Sequence, residues 1–240
     1  MKRYAVLLGH MDGQLSTPLD ISRMKKFLMG DKGGAWFESE IYSKTNISRA
    51  ELLTLLAKIK KAAYDYLFFY FSGHGGYKRG TVLYLNPKEE IIEERALSKL
   101  ATRQLNIYDC CRARDDAMAE STECIKLFSA EKKYVTLIRR EYENRIMTAL
   151  SQQMSLYSCS IEEYSYDFGN GGVYTTHLIE ATAQFSNDFL LVSQAHDVAY
   201  RLTIDEAKNH GVNQNPDYFM PKYSSAQQLI FAINDVHLRF

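Results

Sequence analysis

The segment YLFFYFSGHGG, residues 66–76, joins a long apolar run to a histidine with glycine on both sides. A continuous run of aromatic and aliphatic residues is typical of a strand buried on both faces, as in a parallel sheet. The glycines around His74 reduce side-chain crowding and let backbone N–H groups approach a ligand. The segment therefore predicts a buried strand, Tyr66–Ser72, that ends at a candidate site.

A second segment, NIYDCCR at residues 106–112, ends a predicted strand, Gln104–Asp109, at two adjacent cysteines. In open α/β sheets, ligand sites form beyond the carboxyl ends of the strands. A cysteine thiol, with a reference pKa of about 8.5, becomes a strong nucleophile beside a base. We therefore expect a cysteine and His74 to meet at one edge of the sheet, as in a Cys/His hydrolase.

The rest of the chain alternates between strand-like and helix-like patterns. A Ser48-x-x-Glu51 capping box marks the start of one helix. The alternation predicts an α/β fold with a mostly parallel central sheet. The further predicted strands are Tyr4–Leu8, Glu40–Ser43, Thr81–Leu85, Met154–Ser158 and Leu229–Ile233, and the predicted helices with their caps are Thr17–Gly30, Ser48–Ala63, Ala96–Thr102, Leu137–Leu150, Thr175–Gln184 and Val192–Asn209.

Composition excludes several classes of protein. The 240 residues carry 29 Lys and Arg against 29 Asp and Glu, which disfavours a general binder of nucleic acid or anionic membranes. We find no signal peptide and no apolar run near the roughly 20 residues of a membrane span. The four cysteines form no C-x-x-C pair, which argues against a disulfide framework and against a zinc site. We expect a soluble cytoplasmic protein, either a monomer or a weak oligomer.

The two strand ends resemble the caspase-like cysteine peptidases, most closely the metacaspase and orthocaspase side of bacterial type. Residues 70–75 match the serine–glycine–histidine–glycine turn of that group, and residues 109–111 match its Asp-x-Cys motif. Looser matches lie at residues 157–175 and 214–216. The resemblance implies a caspase–hemoglobinase-like fold, with helices on both faces of the sheet, and one peptidase domain over residues 1–240.

The resemblance also implies a role for each residue of the motifs. Cys111 would be the nucleophile and His74 its general base and acid, with the backbone N–H groups of Gly75 and Cys111 holding the oxyanion. Cys110 lies one residue earlier, on the opposite face of the strand, and is expected to be buried. After the nucleophile, metacaspases usually continue His-Ser-Gly and caspases Arg-Gly, whereas this chain continues Arg112-Ala113-Arg114.

Acidic residues are expected in the pocket for the side chain that precedes the scissile bond. Asp109 shares a strand face with Cys111, because it lies two residues earlier. The resemblance adds Asp20, near the start of the first helix, and Glu163, with Asp167 as a weaker match. Two carboxylates in one pocket select Arg or Lys by charge and bidentate hydrogen bonds. Asp20 also fits an ordinary acidic first turn of a helix.

The resemblance further implies a division of the chain. A large-subunit-like part covers about residues 1–125 and a small-subunit-like part about 141–240, with a linker at about 112–140. The candidates for autoprocessing in that linker are Lys126, Lys132, Lys133, Arg139 and Arg140. We expect no required cofactor; calcium activation would need acids from Asp115, Asp116, Glu89, Glu90, Glu93 and Glu94, whose spacing is not that of a calcium loop.

Other functions are compatible with parts of the sequence. A caspase-like protease of non-basic specificity would activate a partner such as a pore-forming protein, whereas an inactive caspase-like scaffold would only bind partners. An α/β-hydrolase would need a G-x-S-x-G elbow, and a nucleotide-binding domain would need G-x-G-x-x-G or G-x-x-x-x-G-K-[ST]. The chain contains none of these motifs. The main expectation is a cysteine endopeptidase that cleaves after Arg or Lys in regulated proteolysis, defence or cell death.

Overall fold

The computed structural model describes residues 1–12, 16–113, 135–183 and 185–234. Within these ranges the chain forms eleven strands and five α-helices. The strands are β1 Arg3–Gly9, β2 Ile41–Thr45, β3 Tyr66–Gly73, β4 Gly75–Tyr77, β5 Thr81–Tyr84, β6 Ile91–Glu93, β7 Arg103–Cys110, β8 Gln152–Tyr157, β9 Phe189–Leu191, β10 Asp217–Phe219 and β11 Ile230–Ile233. The helices are α1 Ser16–Met29, α2 Arg49–Ala62, α3 Val135–Thr148, α4 Val173–Glu180 and α5 Val192–Asn209.

Among the described residues, six strands form the central sheet in the order β10-β8-β7-β3-β1-β2. Every neighbouring pair from β8 to β2 is parallel, and β10 is antiparallel to β8. β3 is buried throughout Tyr66–Ser72, as its apolar run predicted. Its register pairs Ser72 with Asp109 and Gly73 with Cys110 on β7. The carboxyl ends of β1, β3 and β7 therefore meet at one edge of the sheet.

Successive residues of the strands face two separate cores. Tyr66, Phe68 and Tyr70 of β3 pack in the first core, beneath α1, α3, α4 and α5. The residues between them, Leu67 and Phe69, pack in the second core with α2 and the small antiparallel sheet β4-β5-β6. The prediction of an α/β fold with a mostly parallel sheet and helices on both faces is confirmed.

The start of α2 shows how side chains fix an element at the sheet. The Oγ of Ser48 accepts a hydrogen bond from the backbone N–H of Glu51 at 3.2 Å, as the capping box predicted. The carboxylate of Glu51 does not complete the box, because it accepts hydrogen bonds from Tyr42 Oη at 2.7 Å and from Lys44 Nζ. Glu51 therefore joins α2 to β2 instead of capping its own helix.

The prediction of a helix over Ala96–Thr102 is wrong. A single 3-10 turn covers Glu94–Leu97, and Lys99 then adopts a φ of 55°, in the left-handed region that ends helices. The buried Oε1 of Gln104 accepts a hydrogen bond from the backbone N–H of Leu100 at 2.8 Å. A side-chain bond of this kind satisfies the backbone that a helix would otherwise satisfy, so the segment forms a fixed turn.

The last predicted strand, Leu229–Ile233, exists but lies outside the central sheet. It forms β11, which pairs antiparallel with β9. Four strands of three residues each were not predicted from the sequence: β4, β6, β9 and β10. A strand of three residues is too short to show the alternation on which such predictions depend.

α5 is an amphipathic helix of 18 residues that packs on the first core. Its solvent side carries charged residues such as Arg201 and Asp205. In the ranges that the structure describes, no helix combines the length and the apolar character that crossing a membrane requires.

Candidate active site

Two glycines set the position of His74 at the end of β3. Gly73 has a φ of 138°, and a Cβ there would lie 2.7 Å from the Cβ of His10. A Cβ on Gly75 would lie 2.6 Å from the Sγ of Cys110 and 2.8 Å from the carbonyl oxygen of Cys111. Both positions therefore need glycine, the first for its backbone conformation and both for the close approach. His74 is held half-buried between them.

The two cysteines at the end of β7 have different surroundings. Cys110 is 1% exposed and belongs to the second core, as expected for the opposite face of the strand. Cys111 is half-buried, and its Sγ donates a hydrogen bond to the carbonyl oxygen of Ser165 at 3.7 Å. Burial raises the pKa of the Cys111 thiol, and the charge of Asp109 raises it further. The resting thiol is therefore protonated at neutral pH and needs a base to become a nucleophile.

The pairing of β3 with β7 brings that base to the same edge. Gly73 and Cys110 are register partners, so His74 and Cys111 are the next residues on adjacent strands. Burial lowers the pKa of His74, while the charge of Asp12 raises it. Because the pKa of His74 is lowered overall, its imidazole is neutral at neutral pH and available to accept a proton. The structure thus brings together the two residues that the sequence selected.

A second histidine, His10, lies at this edge and was not among the residues predicted from the sequence. His10 follows β1, and its backbone N–H donates to the carbonyl oxygen of Ser72 at 3.0 Å. Its ring packs edge-on against that of His74, with the ring centroids 4.6 Å apart. His10 is 5% exposed, and burial lowers its pKa. The sequence does carry a signal for it, because Gly9-His10 follows the predicted strand Tyr4–Leu8 just as Gly73-His74 follows Tyr66–Ser72.

Asp20 is buried beside the end of β3, at 1% exposure. Its carboxylate accepts hydrogen bonds from Ser72 Oγ at 2.8 Å and from the backbone N–H of Gly172 at 3.1 Å. Burial raises the pKa of Asp20 well above its usual range, and the negative charge of Asp109 raises it further. Asp20 therefore points into the molecule from α1 and does not serve as a solvated first-turn acid.

Asp109 is buried on the same side of the sheet, at 4% exposure. It accepts hydrogen bonds from Ser165 Oγ at 2.6 Å and from Thr175, whose Oγ1 lies at 2.6 Å and backbone nitrogen at 3.1 Å. Burial raises the pKa of Asp109, although these hydrogen bonds lower it. Ser165 thus contacts both Asp109 and Cys111, because its carbonyl oxygen also accepts a hydrogen bond from the Cys111 thiol.

The two carboxylates converge on Gly172. A Cβ there would lie 2.3 Å from Oδ2 of Asp109 and 3.2 Å from Oδ2 of Asp20. Within the described ranges no Lys or Arg forms a salt bridge with either acid. A pair of buried carboxylates without a cation is costly, and a cationic ligand would relieve that cost.

Glu163 has different partners from Asp20 and Asp109. Its carboxylate accepts hydrogen bonds from the backbone N–H and the side-chain amide of Asn215, at 2.8 and 2.6 Å, and from the N–H of Ser160 at 3.3 Å. These bonds join the loop after β8 to the loop before β10. Asp167 lies nearer the acidic pair, because its charge contributes to the raised pKa of Asp20.

Arg112, the residue after Cys111, is buried and forms an ion pair. Its guanidinium binds Asp217 at 3.0 Å, donates to the carbonyl oxygen of Cys159 at 3.2 Å and lies 4.0 Å from the ring centroid of Tyr157. It therefore ties the end of β7 to β8 and β10. Arg112 matches the residue that caspases usually have at this position, and the chain departs from their Arg-Gly sequence one residue later, at Ala113.

Only some of the candidates for calcium binding and for processing lie among the described residues. Asp115, Asp116, Lys126, Lys132 and Lys133 lie outside the described residues. Within those residues, the acids Glu89, Glu90, Glu93 and Glu94 form no group that would hold an ion. Arg139 lies in α3 with its guanidinium bound to Glu40 and Glu143, and Arg140 lies exposed on the same helix.

The comparison with known families agrees with this geometry. The profile of the caspase domain, peptidase family C14, matches residues 2–225. The chain belongs to the caspase-domain family. No curated protein matches the chain at the threshold of that comparison. This membership supports a peptidase of the cysteine type, for which proteins are the class of substrate.

Proposed function

We propose that this caspase-domain chain is an endopeptidase that cleaves proteins after Arg or Lys, with Cys111 as nucleophile and His74 as general base and acid. One observation supports the proposed preference for Arg or Lys. Asp20 and Asp109 are both buried and converge on Gly172, and neither forms a salt bridge with a Lys or Arg of the described residues. Asp109 lies two residues before Cys111, so the acids are next to the place where a substrate's preceding side chain must lie.

The chemistry starts from a neutral thiol and a neutral imidazole. When the substrate enters, His74 takes the proton from Sγ of Cys111, and the thiolate forms a bond to the carbonyl carbon of the scissile peptide. The carbonyl oxygen becomes an oxyanion, which the backbone N–H groups of Gly75 and Cys111 stabilise. His74 then gives its proton to the leaving amine as the C–N bond breaks.

The second half of the reaction regenerates the thiol. The acyl group stays bonded to Sγ after the amine leaves. A water molecule gives a proton to His74 and attacks the acyl carbon, and the C–S bond breaks. His74 returns the proton to the sulfur, so atoms and charges balance over the cycle.

Electrostatics favours a cationic side chain in the pocket. The free energy of two buried like charges falls when a guanidinium or ammonium forms hydrogen bonds with both. An acidic substrate side chain would place a third carboxyl group beside them. Arg has the advantage over Lys that its planar fork binds two acceptors at once.

A different specificity is the second candidate. Because the pKa of Asp20 is well above its usual range, one carboxyl of the pair holds its proton more readily than a surface acid does. A protonated pair would accept a neutral polar side chain as well as a basic one. The enzyme would then be the non-basic caspase-like protease, acting on a partner such as a pore-forming protein.

Role and maturation remain part of the proposal. We place the enzyme in regulated proteolysis, defence or cell death, as a cytoplasmic monomer or weak oligomer without a required cofactor. The large part, residues 1–125, and the small part, residues 141–240, would stay associated after a cut in the segment between them, since β7 and β8 are adjacent in one sheet.

Cys111→Ala tests the assignment of the nucleophile, with Cys110→Ala as the matched control. We expect Cys111→Ala to abolish hydrolysis of fluorogenic Arg and Lys peptides. His74→Ala should be equally inactive, because the two residues act as a unit. Cys110→Ala should retain activity and lose stability. An active Cys111→Ala protein with an inactive Cys110→Ala protein would reverse the assignment.

A further inference from the structure

A group of potential metal ligands lies beside the proposed base. One ring nitrogen of His10, one of His74 and a carboxylate oxygen of Asp12 lie within 4.8 Å of one another. The three residues come from two adjacent strand ends, after β1 and β3. Asp12 is exposed, His74 is half-buried and His10 is buried. The peptidase chemistry described above uses only His74 of the three.

The hydrogen bond of His10 leaves the lone pair of one ring nitrogen available to bind a metal ion. Its Nδ1 lies 3.0 Å from the carbonyl oxygen of Tyr84. A carbonyl oxygen only accepts, so Nδ1 carries the proton and the lone pair of the neutral ring is on Nε2. Nε2 is buried and has no hydrogen-bond partner in the part of the chain that the structure describes. Metal-binding histidines are oriented in this way, by a hydrogen bond from the other ring nitrogen.

We propose that His10, Asp12 and His74 form a binding site for Zn²⁺ or a similar divalent transition metal. Two imidazoles and one carboxylate match the three protein ligands of zinc sites that keep an open position for water. Ca²⁺ and Mg²⁺ prefer oxygen ligands, which sets this site apart from the calcium candidates. Zinc bonds of about 2.0–2.1 Å fit ligand atoms that lie within 4.8 Å of one another, and the exposed Asp12 has room to rotate toward the two rings.

The site links metal binding to catalysis. A neutral imidazole has a single basic nitrogen, and a metal ion on that nitrogen prevents it from taking the thiol proton. Zinc would therefore inhibit the peptidase by occupying His74. This consequence rests on the proposed function, whereas the binding of the metal does not.

Zinc affinity tests the site independently of activity. The protein carries Cys111→Ala and Cys124→Ser, which remove the nucleophile and the cysteine of the connecting segment as thiolate ligands. Zn²⁺ is titrated in competition with a chromogenic chelator after dialysis against EDTA. We expect one site, weakened on the order of tenfold or more by Asp12→Asn and by His10→Gln. Asp205→Asn, an exposed acid on α5, is the matched control and should change nothing.

Each outcome of the titration decides the proposal. Affinity that is unchanged in both Asp12→Asn and His10→Gln would overturn it, as would the absence of a site in the parent protein. If His10→Gln does not fold, the exposed Asp12→Asn decides alone. Co²⁺ bound to the parent protein should give a ligand-field spectrum of nitrogen and oxygen coordination, which Asp12→Asn alters; a thiolate charge-transfer band would contradict the assignment.

Inhibition is measured separately, on protein with Cys111 intact. We expect Zn²⁺ to inhibit peptide hydrolysis, and Asp12→Asn to need about tenfold more zinc for the same inhibition. Equal sensitivity of the two proteins would show that zinc acts at the thiol and would contradict the inhibitory role of the site. A protein without peptidase activity would contradict the proposed function, and the titration would still decide the metal site.

Discussion

Burial of the Asp20 carboxylate costs free energy of folding, and its hydrogen bonds with Ser72 and Gly172 offset that cost only in part. Its pKa is raised because burial and the neighbouring Asp109 both disfavour the charged form. The folded state therefore holds the proton more tightly than the unfolded state. At a pH above the raised pKa, the ionised carboxylate destabilises the fold, and this destabilisation disappears as the pH falls towards about 3.9, the ordinary value for Asp.

Asp20→Asn should therefore stabilise the protein at neutral pH, by about 1 kcal/mol, while lowering activity on Arg peptides. The amide keeps the same shape and can still accept from the N–H of Gly172. Urea unfolding at pH 7 and at pH 4 checks the result, because the advantage should be present only at the higher pH. Asp205→Asn serves as control. An Asp20→Asn protein that is less stable than the parent at pH 7 would contradict the conclusion that the buried carboxylate of Asp20 destabilises the fold.

We predict that the protein loses stability in mild acid because of His196. It is buried and bound to Tyr174 Oη at 2.8 Å through Nδ1, and burial lowers its pKa to about 4. The unfolded chain, with a histidine pKa of about 6.5, binds more protons between these values, so stability falls as the pH falls through that window. The contribution is about 3 kcal/mol in full. His196→Gln should flatten this part of the curve of unfolding free energy against pH, and an unchanged curve would refute the prediction.

At the scale of elements, β3 and β7 were predictable because their information is local. Tyr66–Ser72 is apolar over its whole length, and a histidine and a cysteine follow the two strands directly. The acidic pocket was less visible, because Gly172 and Thr175 come from a distant segment and meet Asp109 only in the folded chain. A single sequence records neither that convergence nor the approach of His10 to His74.

The close packing at the start of β4 requires glycine at position 75, and this requirement can be tested. A Cβ there overlaps the Sγ of Cys110 and the backbone oxygen of Cys111, and backbone cannot move aside cheaply. Gly75→Ala should destabilise the protein by about 1–3 kcal/mol and lower kcat by displacing Cys111. Gly76→Ala is the matched control, since its nearest contact would be 3.4 Å. Equal effects of the two substitutions on thermal unfolding and kcat would contradict the steric account.

At the scale of the whole molecule, the parallel order of the sheet explains why residues far apart in sequence share one site. β3 lies between β7 and β1, and each of the three strands is followed directly by a residue at this edge: Cys111, His74 and His10. The family and the fold class followed from the sequence. The pairing of β11 with β9 did not, because the strand pattern of Leu229–Ile233 identifies no partner.

The proposed autoprocessing would cut the segment between the two parts of the chain. Arg139 is in a helix and bound to two glutamates, which is a poor conformation for a peptidase that needs an extended substrate. We expect the cut after Lys126, Lys132 or Lys133. Replacing these three lysines by Gln should leave the 27.6 kDa chain intact in an electrophoretic time course. Arg140→Gln should be cut like the parent, and a cut that persists in the triple variant would contradict this placement.

The most direct test of the account compares peptides that differ only in the residue before the scissile bond: Arg, its neutral isostere citrulline, and Asp. We predict that kcat/KM is highest for the Arg peptide. The citrulline peptide should lose about 2–5 kcal/mol of transition-state binding, which is the scale of a broken buried charge pair. Asp109→Asn should remove most of that difference, and Asp peptides should not be cut. Equal rates for Arg and citrulline, or a preference for Asp, would contradict the assignment of Asp20 and Asp109 as the specificity pocket.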